Sequence, residues 1–188
     1  MSMPSTDASR QIVVPELPKT LDDFIALRDD LAVTPEGGAA MMVLALAVYA
    51  ADPKARFGQD VLVIAADRSR LTPKSDGYKG WSLTMRDQQH IMRQVASKPW
   101  GPRSYFAGTS PEGGYRLPES PYRFELSRNL YSGDEAEGCV KVFVASSGAS
   151  RPRPVTVQRN NRGLWKALEW SSLTVGVEPP AMETDDDL

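Results

Sequence analysis

Apolar residues recur three and four positions apart along the front of the chain, whereas beyond about residue 120 they alternate with polar ones. In "TLDDFIALRDDL", Leu21, Phe24, Ile25, Leu27 and Leu31 make one apolar side, and Thr20 stands three residues before Asp23. That spacing predicts a short amphipathic helix capped at Thr20. "TPEGGAAMMVLALAVYAADP" sets Thr34 at a cap, Pro35 at the first helical position and Glu36 near the positive end of the helix dipole. From Ala39 to Ala51 it is apolar on every side, which predicts a helix surrounded by protein and closed by Pro53. "DVLVIAAD", residues 60–67, has the length of a strand. "TMRDQQHIMRQVA" predicts a further helix, with Thr84 and Asp87 as a cap pair, Met85, Ile91, Met92 and Val95 near one side, and Pro99 preventing continuation.

The later texture is that of strands. "YRFELS" alternates Tyr122, Phe124 and Leu126 against charged neighbours, and "VKVFVAS" alternates Val140, Val142 and Val144. "PVTVQ", "NNRG" and "LWKALEW" predict a hairpin, in which Trp165 and Trp170, an odd number of positions apart, are expected on opposite faces, one in the core and the other exposed or covered by the helices. The fold class predicted is α+β, with N-terminal helices packed on a C-terminal antiparallel sheet. Residues 1–18, punctuated by Pro4, Pro15 and Pro18, read as a flexible arm. Residues 19–178 read as a single α+β domain and 179–188, "PPAMETDDDL", as an acidic disordered tail.

Composition narrows the function classes. The 188 residues are 41% apolar and 24% charged, enough to bury a sizeable core. Twenty-two basic and 24 acidic residues give a formal charge of -2, a balance that offers no global field for phosphate backbones, so nucleic acid is not an expected partner. The apolar run at 39–51 falls short of the roughly 20 residues needed to span a bilayer, so no membrane insertion is expected. A single cysteine, Cys139, cannot form an internal disulfide, and thiols and imidazoles are not spaced for zinc. With no basic region leading into an apolar core at the N-terminus, a cytoplasmic location is expected.

Candidate chemistry concentrates in two loops. "SYFAGTSPEGGY", residues 104–115, has Gly108 and Gly113 at the spacing of a phosphate-cradling loop, yet Gly114 and Tyr115 stand where that motif needs lysine and a hydroxyl residue. Ser110–Gly113 fits a β-turn instead. "SSGASRPRPVTV" holds Arg151 and Arg153 two apart in an extended stretch, where both head groups could grip one carboxylate or phosphate. Arg103, Tyr105, Tyr115, Arg151 and Arg153 are the binding residues predicted. His90 has no second histidine or nearby cysteine, and Cys139, entering an alternating strand, reads as a small half-buried side chain. No carboxylate pair stands out, Glu125 being expected to face water. No catalytic residue, cofactor or metal is predicted. From Lys98 to Trp170 there are 11 Lys or Arg against 7 Asp or Glu, which favours an acidic partner for the sheet half.

"KPWGPRSYFAGTSPEGGY", "PYRFELSRNLYS" and "VKVFVASSGASRPRPVTVQRNNRGLWKALEWSSLTVGV" together resemble a bacterial domain family of unknown function, with a Ser-Tyr-Phe then Gly-x-x-Pro-Glu-x-x-Tyr loop and a Ser-Ser-Gly then Arg-Pro segment before a Trp-containing hairpin. "TPEGGAAMMVLALAVY" is similar to the core helix of that family. The resemblance implies boundaries near residues 30 and 180 and no reaction. The function expected is a non-enzymatic protein-interaction or accessory module of a bacterial cytoplasmic assembly, its partner an acidic protein or a second copy. The alternative is a small-molecule-binding protein or enzyme with a pocket between helices and sheet.

Overall fold

A computed structural model describes residues 9–181. Helices α1 (Leu21–Leu31), α2 (Pro35–Ala51) and α3 (Arg56–Ala65) follow a first strand, β1 (Arg10–Val14). A hairpin, β2 (Leu71–Tyr78) and β3 (Trp81–Leu83), leads into α4 (Met85–Ile91), which continues as a π-helical stretch through Met92–Ala96. Four strands complete the chain: β4 (Tyr122–Ser127), β5 (Cys139–Val144), β6 (Arg153–Arg159) and β7 (Trp165–Glu169). They form with β1 a five-stranded antiparallel sheet in the order β1-β4-β5-β6-β7. The helices lie against this sheet, an α+β architecture.

Local chemistry explains the ends of the helices. Thr20 Oγ1 accepts from the Asp23 amide while Asp23 accepts from the Thr20 amide, a complete capping box. Thr34 Oγ1 accepts from the Gly37 amide at the start of α2. Every residue from Ala39 to Leu46 is buried, because α2 touches α1 and α3 on one side and β1, β4, β5, β6 and β7 on the other. Phe124, Leu126, Val140, Val142, Val144, Val155 and Val157 supply the facing surface of the sheet. No described helix is long and apolar enough to cross a membrane.

Several expectations need correction. Arg10–Val14, assigned above to a flexible arm, pairs with Tyr122–Leu126 as an edge strand: Pro15 ends the strand without preventing it. Residues 1–8 and 182–188 lie outside the described residues, and of the tail assigned to 179–188 the described end is tied down, the Ala181 amide donating to the Pro111 carbonyl (2.9 Å). Asp60–Ala65, expected as strand, is the second half of α3. Of the outcomes open for the second tryptophan, exposed or covered, the structure gives the covered one: Trp165 and Trp170 are both buried, Trp170 just past the end of β7 where the chain turns through Ser171–Thr174. Met85 and Met92 do not share the buried side of Ile91 and Val95 but are 68% and 57% exposed. Cys139 is exposed, not half-buried, at the first position of β5.

Candidate functional site

The two loops singled out in the sequence converge on the chain's own C-terminal segment. The Tyr105 hydroxyl donates to the Leu173 carbonyl (2.8 Å) and Tyr115 to that of Glu178 (2.5 Å). Arg153 Nη2 donates to the Gly176 carbonyl (2.9 Å), the Glu178 amide to the Gly148 carbonyl (2.8 Å), and the Ala181 amide to the Pro111 carbonyl (2.9 Å). Residues 173–181 are thus strapped across loops 104–115 and 146–153 mainly through backbone groups. Gly148 makes this approach feasible, since a Cβ there would lie 2.2 Å from the Tyr115 hydroxyl oxygen. Burial pushes both phenols above their usual range, with the Glu178 and Glu112 charges adding to the effect at Tyr115, so both remain donors.

His90 belongs to the same clamp. Its Nε2 lies 2.7 Å from Thr174 Oγ1, whose hydroxyl donates to the Ser171 carbonyl. Arg103 instead borders a hollow of about 440 Å³ between the end of α2, Phe57, Phe106 and Leu117. Arg151 is exposed on the loop before β6. The structure therefore gathers Tyr105, Tyr115 and Arg153 along the strap and leaves Arg103 and Arg151 apart from them. Glu125, expected to face water, is half-buried and accepts from Gln11 Nε2 on β1 (2.6 Å). Among the described residues, no three or more His, Cys, Asp or Glu are grouped to hold a metal ion.

The larger concavity, about 530 Å³, lies elsewhere. Its floor is Leu62 and Val63 of α3, Leu83 of β3 and Ile91 of α4, with Tyr49 at the α2 end. The β2–β3 hairpin forms one wall through Tyr78 and Trp81, and the Arg68 guanidinium sits 3.1 Å above the Trp81 ring centroid. Met85 and Met92, at the start of α4 and in its π-helical continuation, stand exposed at the rim. Arg70, donating to Asp87 Oδ1 (2.7 Å), ties the root of the hairpin to the first turn of α4 and so fixes the width of the groove.

Sequence reasoning missed this groove because it missed the hairpin. The signal was "YKGW": Lys79 and Gly80, with φ of 48° and 82°, form a two-residue turn of the kind that joins twisted antiparallel strands. Asp76 and Gly77 belong to β2, where the register shifts.

Fold and groove together define a class by architecture: helices on a five-stranded antiparallel sheet, with an open groove of apolar floor and polar walls on the helical side and a C-terminal strap. The chain belongs to the family described as Domain of unknown function (DUF6935), whose model matches residues 16–181. No curated protein and no solved structure matches the chain.

Proposed function

We propose that the protein is a non-enzymatic, cytoplasmic protein-binding module that receives an apolar, acidic segment of a partner in the groove between α3, the β2–β3 hairpin and α4. The supporting observation is the pair of exposed methionines, Met85 and Met92, over a floor of buried aliphatic side chains. Flexible thioethers fit themselves to varied apolar side chains, and a helix-lined groove suits an inserted segment. The charge balance favours acidic sequence: residues 68–93, which include the hairpin and α4, carry Arg68, Arg70, Lys74, Lys79, Arg86 and Arg93 against Asp76 and Asp87, and the groove itself is lined by Lys54, Arg56 and Lys74 against Asp60 and Asp76. In this reading Tyr105, Tyr115 and Arg153 serve by holding the strap, and Arg103 and Arg151 are auxiliary contacts.

Methionine-methyl NMR tests the assignment. Synthetic peptides combining Leu or Phe with Asp and Glu should shift the Met85 and Met92 resonances, and lysine-substituted versions should not. Silence of both methyls at millimolar peptide would refute it.

A second reading is favoured by the size of the groove, about 530 Å³, which falls within the roughly 300–1,000 Å³ of small-molecule sites. A metabolite library that raised the melting midpoint of the wild type but not of Met92→Glu would select this reading over the first.

A further inference from the structure

Resting on the groove as a docking site, we propose that its occupant is a second copy of this chain, whose loop between β4 and β5, residues 128–138, inserts as an acidic, apolar-tipped finger. Leu130 and Tyr131 are 80% and 84% exposed, more than any other large hydrophobic side chain among the described residues. They are not on slack chain. Asn129 Oδ1 accepts from the Tyr131 amide (2.8 Å), Ser132 Oγ accepts from the Asn129 amide (2.9 Å), and the Ser132 carbonyl accepts from the Lys141 amide (2.8 Å). A turn fixed in this way presents its apolar tip with little left to order on binding.

Charge matches the finger to the groove. Residues 128–138 carry Asp134, Glu135 and Glu137 against one basic residue, Arg128, which is turned back onto Glu36 and Glu135 (3.0 Å) and leaves Asp134 and Glu137 as the acidic surplus. The hairpin and α4 carry the surplus of arginine and lysine described above. Two of those cations are already paired, Lys74 with Asp76 (3.8 Å) and Arg70 with Asp87 (2.7 Å), which leaves Arg68, Lys79, Arg86 and Arg93 in excess. On the opposite wall Arg56 pairs with Asp60 (3.5 Å) and Lys54 adds a further positive charge. An acidic finger approaching an apolar floor whose surroundings carry a net positive charge meets complementary potential.

The geometry makes the contact intermolecular. Arg128, at the root of the finger, is held by Glu36 at the first turn of α2, whereas the groove meets α2 at Tyr49. At 1.5 Å per residue these positions lie about 20 Å apart along the helix. Finger and groove therefore occupy opposite ends of the central helix, and joining the finger of one copy to the groove of the next gives a head-to-tail contact that closes into a ring or runs on as a filament.

Light scattering and sedimentation of the full chain over a concentration series test this. The mass of the wild type should rise with concentration and fall back as salt increases. A finger variant, Leu130→Ser with Tyr131→Ser, and a groove variant, Met92→Glu, should each be monomeric while melting like the wild type, since the altered side chains are exposed. Mixed in equal amounts they should form dimers and nothing larger, because only one intact finger and one intact groove remain. Asp134→Lys with Glu137→Lys should weaken assembly without touching the apolar tip. A wild type that stays monomeric at about 1 mM, where even a contact of roughly -4 kcal/mol would be half formed, overturns the proposal, as does assembly that survives both variants. If acidic peptides still shift the Met85 and Met92 methyls in a monomeric wild type, self-docking falls and the groove stands. If the methyls are silent too, both fall.

Discussion

Glu36 shows how much one side chain can be asked to organise. It is 1% exposed at the start of α2 and takes two hydrogen bonds from Arg128, Nε to Oε1 (2.6 Å) and Nη2 to Oε2 (2.9 Å), with Arg10 of β1 3.6 Å away. Burial pushes its carboxyl up, but the Arg128 hydrogen bonds, the backbone amide and the two guanidinium charges outweigh this and hold it below the usual carboxylate range. A depressed pKa adds stability that is complete above the ordinary value of 4.5 and disappears as pH falls through the lower, folded one. Glu36→Gln should cost about 2–3 kcal/mol at neutral pH, below the full penalty for a broken buried pair because Arg128 keeps contact with water and Glu135. Denaturant titrations at descending pH should show the gap between variant and wild type narrowing below pH 4.5. Lys166 has the opposite logic. Burial, with help from the Arg28 charge, lowers its pKa from 10.5 to about 8, while its ammonium donates to the Ile64 carbonyl near the end of α3. Between those values the unfolded chain binds the extra proton, so wild-type stability should rise with pH from about 8. That rise should stop near pH 10, where unfolded tyrosines begin to ionise while Tyr105 and Tyr115 hold their protons. Lys166→Met should flatten the rise, as read from melting curves across this window.

At the scale of elements, close backbone approach decides what the sequence conceals. "DVLVIAAD" reads as a strand on its length alone, which leaves out the turn of helix that precedes it from Arg56 through Gly58. In the structure Gly58 lies inside α3, and since a Cβ there would meet Tyr49 Cα at 2.9 Å, its missing side chain is what lets α3 pack this closely on α2. Gly38 plays the same part between α2 and β7, where a Cβ would come within 2.6 Å of the Trp165 carbonyl oxygen. Gly38→Ala should therefore destabilise by about 1–3 kcal/mol despite alanine's better helix propensity, measurable by urea unfolding. Legibility follows from the same distinction. The caps at Thr20, Thr34 and Thr84, the all-apolar α2 and the alternating β4, β5, β6 and β7 were readable because each is written in local spacing. The edge strand β1 was not, since its pairing with β4 depends on a partner more than a hundred residues away. Half of the groove was hidden for the same reason: Met85 and Met92 fit the helical pattern of α4, but only the position of the hairpin decides that they face outward.

For the whole molecule, the arrangement separates loops that close on the chain's own C-terminal segment from a groove that stays open. Loops 104–115 and 146–153, chemically the most suggestive stretches, close on the strap, and the open groove lies behind an inconspicuous Lys-Gly turn. At the centre is α2, which reaches all five strands of the main sheet as well as α1 and α3. None of those partners can detach without uncovering part of it. Amide protons between Ala39 and Leu46 have no partial opening that would bring solvent to them, so they should exchange only when the entire chain comes apart. Their exchange free energies, measured by mass spectrometry or NMR, should converge on one value equal to the global unfolding free energy, while amides of the β2–β3 hairpin exchange far sooner. A single buried helix would then serve as an internal gauge of how firmly the whole protein is held together.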